Sequence, residues 1–482
     1  LTVSGGDIYG ITDGALTLRA DTNMFFDVDN DNDGAQLWYW RNGSDANMMT
    51  LNELGALAVT GTLDVGGASV NLGANSYMTL TEQEIDVSNG DLTIDVAGDI
   101  TLDADGGDII FKDNTLQFMH IGSGTNVAIG AYAGNALGTT DLKSIAIGKN
   151  SLKNENAAEG NIAIGHDAMR VCNDDGANYN IAIGFEAMEN CTDLGAYNIA
   201  IGFQALDTDG VDASNNVAIG SDAMGAGGVE GNSQVAIGHN SLYNLSTGTG
   251  NICVGYRTGY SITDGGSNTY MGYGCGDAAV SSLNNIGIGY ESLGNNVYGN
   301  ANVSIGRNAM LTSVADGNCI AIGKGALQTA NYNGSATSTQ STYNVGIGHD
   351  AGNDITTGRY NTLIGGLAGD AITDQSSNVA IGYSALSGNA LGRYNVAVGN
   401  YALETANHTS ADDCVAMGYA ALSGAVTVPG LTAIGGYAGN VATGATGLTA
   451  VGWSALTDNT DGLYNTAVGY QALYTNAQGD SN

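Results

Sequence analysis

Proline is almost missing from this chain: Pro429 is the only one in 482 residues. Positive charge is scarce too, with 12 Lys and Arg against 48 Asp and Glu and a net charge of −36. That balance keeps an exposed chain in solution and repels polyanions, so neither nucleic acid, nor an anionic membrane surface, nor an acidic glycan is an expected partner. No run of about 20 apolar residues occurs, which excludes a membrane-spanning helix. The six cysteines lack the paired spacing of a zinc site. No Ser/His/Asp grouping or glycine-rich phosphate loop stands out, the acidic residues lie mainly in variable turns, and the glycine-aspartate nonapeptide of calcium-binding solenoids is missing. An enzyme is therefore not expected, and no cofactor is implied.

Glycine is abundant, at 75 residues, and its placement marks a repeat. The unit reads Asn, then Val, Ile or Thr, then Ala, then Ile or Val, then Gly, two variable residues, Ala or Ser, and Leu, Met or Gly. Clear copies are Asn216, Val217, Ala218, Ile219, Gly220 and Asn378, Val379, Ala380, Ile381, Gly382. Twenty such glycines run from Gly130 to Gly469, most of them 17 or 18 residues apart. A strict period of this length predicts a solenoid in which each unit is one coil and stacking buries the apolar surface. Leu1 and Asn482 both fall within patterned sequence, so the chain reads as part of a longer one.

With the glycine as position zero, −3 is β-branched in every copy and −1 is Ile, Val or Met. Residues two apart share a strand face. The pattern therefore predicts one branched face, expected inside the coil, and one bare Ala/Gly face, expected to let another backbone come close. Glycine at zero also suits a bend that needs positive φ. A second short strand is expected at +3 and +4, where Leu206, Met224, Leu386 and Leu473 would close the core. Position −4 is Asn in 14 of the 20 copies, which predicts an amide ladder along the axis.

These residues resemble the head repeats of the trimeric autotransporter adhesins, the YadA-type head, over about three quarters of the chain. The same repeats, here Tyr464 to Leu473 in their fullest form, are similar to those of phage tail fibres. The resemblance implies an all-β, elongated, homotrimeric left-handed parallel β-roll, with the Ala/Gly face against two identical chains. At about 4.8 Å per coil, twenty coils would reach about 100 Å. Before the roll, serial strands such as Gly98-Asp-Ile-Thr-Leu-Asp resemble phage-fibre shafts. The expected domains are a small β module at 1–60, with a hairpin of Met24–Val28 and Ala35–Arg41, a strand-rich trimeric stalk at 61–120, and the roll at 121–482. The implied function is a virion appendage that positions receptor-binding elements for host attachment, alongside other virion or surface-filament proteins. A bacterial trimeric adhesin is the second reading, and a polysaccharide-cleaving tailspike the third. The implied location is the virion or the cell surface.

Some local features carry their own alternatives. Asp29, Asp31 and Asp33 alternate as in the first half of a calcium loop, but the twelfth position is Trp40, so two readings stay open: a Ca²⁺ site outside any EF-hand, or an acidic hairpin turn. Cys172 and Cys191 each lie seven residues past a repeat glycine, in register for a disulfide between successive coils or for two stacked thiols. Position +1 carries Tyr256, Tyr273, Tyr290, Tyr383, Tyr419 and Tyr470, with Phe185, Phe203 and Trp453. Such a row either covers the wall or meets the sugar rings of a host receptor. The widest spacing, Gly323 to Gly348, inserts a polar segment around Asn331–Ser341, a candidate receptor loop or plain tolerated length.

Overall fold

The computed structural model describes the backbone of three strands in the first hundred residues, the strands Ile109–Asp113 and Leu116–Ile121, and 126–482 except 136–142, 155–158, 172–175, 191–194, 208–212, 227, 332–338, 389–391, 406–410 and 425. The chain divides into two compact units, Leu1–Asp99 and Ile100–Asn482. In the first, Leu37–Arg41 pairs antiparallel with Asn47–Asn52, which pairs antiparallel with Leu57–Val59. The strand expected at 35–41 is present as Leu37–Arg41, with Asn47–Asn52 as a neighbour on its downstream side. Met24–Val28 lies outside the described residues, as do Asp29, Asp31 and Asp33.

The second unit is an all-β parallel solenoid. Twenty three-residue strands, from Val127–Ile129 to Thr466–Val468, each contain positions −3 to −1 of one repeat. Every strand pairs in parallel with the next, residue for residue: Val217, Ala218 and Ile219 lie beside Val235, Ala236 and Ile237. The N-terminal end of the ladder changes direction. Ile109–Asp113 and Leu116–Ile121 form an antiparallel hairpin whose second strand pairs antiparallel with Val127–Ile129. This hairpin falls within the segment expected as stalk and is continuous with the ladder. No pairing joins Thr466–Val468 back to the hairpin among the described residues, so the ladder is open.

The two faces of each strand are the reverse of the expectation. Ala at −2 is the inward residue: Ala182, Ala200, Ala218 and Ala236 are all fully buried. The branched residues at −3 and −1 point out of the coil and are half-buried or exposed, as Val217, Ile219, Val379 and Ile381 show. The reason is width. Each coil is a flattened loop whose interior must hold Ala at −2, Ala or Ser at +3 and one larger residue at +4, such as Leu206 or Met224. An Ile on the inner side would meet the opposite wall. Leu245, Ile262, Ile355 and Ile372 at +7 extend this core in the 17-residue coils.

Positions +1 to +4 form no second strand. They make a double turn in which +2 and +4 take the left-handed conformation, as with Asp222 (φ 53°) and Met224 (φ 54°). Left-handed geometry costs an L-residue about 1–2 kcal/mol, while burying a Leu or Met contributes about 1.5–3 kcal/mol. Burial therefore carries the +4 residue into a conformation it would otherwise avoid. The turn also keeps its hydrogen bonds between coils: Asp222 N–H donates back to Phe203 O (2.9 Å) and Met224 N–H donates forward to Ser241 O (3.0 Å).

Glycine at zero is required twice over. Gly220 has φ +135°, and a Cβ there would lie 2.6 Å from the carbonyl of Gly238 in the next coil. The close backbone approach expected from the bare face thus occurs between successive coils of one chain. The Asn row forms the predicted ladder inside. Asn198 Oδ1 accepts the N–H of Asn216 (3.0 Å), and Asn216 Oδ1 accepts that of Gln234 (2.9 Å). The same rung recurs from Asn361 to Asn378 and from Asn378 to Asn395, each at 3.0 Å. Asn251 Nδ2 meanwhile donates to Gly265 O (2.9 Å), so one side chain satisfies two backbone groups of the following coil.

Candidate interaction surfaces

The outward rows at −3 and −1 form a continuous aliphatic stripe. Ile252, Ile286 and Ile434 are 42, 40 and 40 % exposed. Parallel sheets are normally covered on both faces, and contiguous apolar strips of this kind mark contact surfaces. The repeat residues singled out from the sequence divide between the two sides. Asn216, Asn378, Gly220 and Gly382 build the coil, while Val217, Ile219, Val379 and Ile381 build the stripe.

A second surface is aromatic. His239, Tyr256, Tyr273 and Tyr290 stack in sequence, with centroids 5.4, 4.8 and 5.3 Å apart and planes within 14°. His166, Phe185 and Phe203 form a shorter stack of 5.1 and 5.7 Å. From Tyr383 to Trp453 the ladder changes to edge-to-face, because Tyr401 and Tyr437 sit at +2 between residues at +1. Inner members of the parallel stacks have both ring faces against neighbouring rings. A sugar ring therefore has no free face to lie on there; only ring edges and hydroxyls remain. Sequence reasoning overlooked a further column at −5, where Tyr179 stacks on Tyr197 (5.5 Å) and Tyr343 on Tyr360 (5.8 Å). Its signal was the fixed offset from the glycine.

Beside the Tyr256–Tyr290 stack lies a groove of about 560 Å³. It opens where Gly274 and Gly294 replace side chains in the outward +2 and +5 columns. Arg257 crosses one end, its Nη2 3.3 Å from Asp277 Oδ2 and its guanidinium 4.2 Å from the Tyr260 ring centroid. Burial raises the Asp277 carboxyl above its usual range, and the Arg257 charge opposes that rise. Glu291, Asn295 and Leu311 complete the groove.

Inside the coil, chemistry is muted. Cys253, Cys275, Cys319 and Cys414 are free and buried, and burial pushes the Cys275 thiol up to about 12 and the Cys319 thiol to about 11. Such thiols are inert as nucleophiles and fill space. Cys172 and Cys191 lie outside the described residues; Val171 and Asn190, just before them, pair in parallel. Among the described residues no cluster of three or more metal-ligating side chains is present, and no helix is long and apolar enough to cross a membrane. The inserted segment is described at its edges. Gln340–Ser341 pairs with Asp316–Gly317, and Thr339 Oγ1 donates to Tyr298 O (2.7 Å), while 332–338 lie outside the described residues. No protein-family model, curated protein or solved structure matches the chain.

Proposed function

We propose that this chain is part of a structural fibre, a phage tail-fibre-like virion appendage, in which three copies pack around one axis and present receptor-binding elements to a host surface. The observation that carries this reading is the unbroken outward stripe of Val, Ile, Thr and Met along the solenoid. A parallel sheet with one aliphatic face uncovered calls for a partner of equal length and matching period, and identical copies of the chain supply both. The resemblance of the repeat to YadA-type heads supports three copies, with the seam now assigned to the branched rows, since the Ala row is interior. Three identical outer faces would give weak contacts the avidity of a multivalent ligand.

Sedimentation equilibrium of the full chain tests the reading. A mass of three times 48.7 kDa is expected, and a monomer at micromolar concentration would overturn it. A bacterial adhesin shares the same repeat and the same expected mass. The complete reading frame separates the two: a chaperone or tip module marks the virion fibre, and a membrane-anchor β-barrel marks the adhesin. Loss of viscosity in a capsule-polysaccharide digest would instead favour the tailspike.

A further inference from the structure

We infer that the groove between Arg257 and Leu311 is a binding site for a neutral, hydroxyl-rich saccharide. It is built by omission. Position +2 carries Gln204, Asp222, Asn240, Arg257, Glu291 and Asn308 in other coils, all left-handed, but it is bare at Gly274. A Cβ at Gly274 would touch nothing closer than Glu291 Cγ at 3.5 Å. Gly274 is itself left-handed, at φ 60°, but so are the side-chain-bearing residues at this position in other coils, and crowding does not demand glycine there; the space it leaves is the groove.

The walls choose the ligand. Tyr256 and Tyr273 each have both ring faces occupied within the stack. What they turn to the groove is the ring edge, the electropositive rim of the quadrupole. That rim suits sugar oxygens and disfavours an ammonium group, which needs a ring face. Two carboxylates, Asp277 and Glu291, stand against one guanidinium, Arg257, on a chain of net charge −36, so an anionic saccharide is repelled. Hydroxyls find acceptors in those carboxylates and donors in Arg257 and the exposed Asn295 amide, with Arg257 held from behind by Tyr260. Leu311 offers the apolar patch that the C–H face of a sugar requires.

The inference deepens the attachment role proposed above and rests on it for its biological meaning. The binding measurement stands apart from it. Saturation-transfer difference NMR would irradiate the aromatic protons of the full chain, in its own oligomeric form, with cellohexaose, maltohexaose and chitohexaose as neutral probes and hexagalacturonate as the anionic one. At least one neutral probe is expected to receive saturation, and the anionic probe none. Gly274→Gln, matching Gln204 and Gln471 at the same left-handed position, should fill the groove and abolish the transfer in a variant that still folds, its melting temperature lowered only by the strain of a left-handed side chain. Gly294→Asn fills it independently should Gly274→Gln fail to fold. Silence from all three neutral probes, transfer to the anionic probe, or equal transfer in the filled variant overturns the assignment. A trimer that binds no probe removes only the groove, and a monomer that binds one removes only the assembly.

Discussion

On the strand Val217–Ile219 two environments stand one residue apart. Ala218 faces inward and is fully buried, with Ala200 and Ala236 above and below it. Val217 and Ile219 face outward and keep part of their surface in solvent. The usual association of large apolar residues with the interior is inverted, because the interior of one coil is only as wide as a few methyl groups. In the −2 column, large residues enter where glycine makes room. Tyr270 takes the Ala position and is fully buried. A Cβ on Gly276 would lie 2.5 Å from its ring, and one on Gly287, the same position in the next coil, 2.9 Å away. Leu363 repeats the arrangement with Gly352 and Gly369, whose added Cβ atoms would lie 2.6 and 2.7 Å from its methyls. The inner column is thus a volume constraint shared between neighbouring coils, and the outer rows are a cover awaiting a partner.

Substitution can break this contrast. The largest effect is expected from Ala218→Asp, which buries an unpaired charge in the stack and should destabilise by about 3–5 kcal/mol; a melting temperature like the parent's would show that Ala218 is not interior. Next, Tyr270→Ala should cost about 3–5 kcal/mol by leaving a cavity. Adding Gly287→Ala should recover part of that loss, although Gly287→Ala alone destabilises, since its methyl collides with Tyr270 and Cys275. Additive effects in this double-mutant cycle would disprove the shared volume. Asn251→Ala should cost about 1–3 kcal/mol, because Asn268 N–H and Gly265 C=O lose their partners. Ile219→Asp should change the melting of a single chain by no more than about 1 kcal/mol, yet shift the sedimentation mass toward monomer. Loss of folding without a change in assembly would place Ile219 inside after all.

The smallest expected effect is on pH dependence. Burial pushes the carboxyls of Asp207 and Asp370 up to about 6 from an ordinary 3.8. Hydrogen bonds oppose the rise, from Asn190 N–H at Asp207 and from backbone N–H groups at Asp370, while nearby carboxylates add to it. Above pH 6 both the folded and unfolded chains are ionised, and the folded one bears the full cost. As pH falls from 6 toward 3.8 the folded chain takes up protons that the unfolded chain does not, so stability rises. Thermal melting should therefore be higher at pH 5 than at pH 7.5. Asp207→Asn with Asp370→Asn should raise the pH 7.5 value and narrow the gap; an unchanged gap would assign it to the overall negative charge.

Much of the coil was legible because the repeat is strict. The period gave the solenoid, the glycine gave the positive φ, and the Asn row gave the ladder. The face assignment failed at Val217 and Ile219 because period-two alternation separates a strand's sides without saying which is inner. The expected strand at +3 and +4 failed at Ala223 and Met224 because burial and inter-coil hydrogen bonds stabilise a turn, left-handed at Asp222 and Met224, that local propensity disfavours. The groove at Gly274 was invisible because a missing side chain means nothing until its neighbours in adjacent coils are known.

By itself the sequence determined the period, the strand at −3 to −1 and the glycine that follows it, since these follow from local geometry repeated at fixed spacing. Only the tertiary structure decided which side of the strand is inside, where the aromatic faces are hidden, and where a gap opens on the wall. Those properties depend on the distance between the two walls of one coil and on the stacking of residues 17 or more positions apart, and no local pattern encodes either.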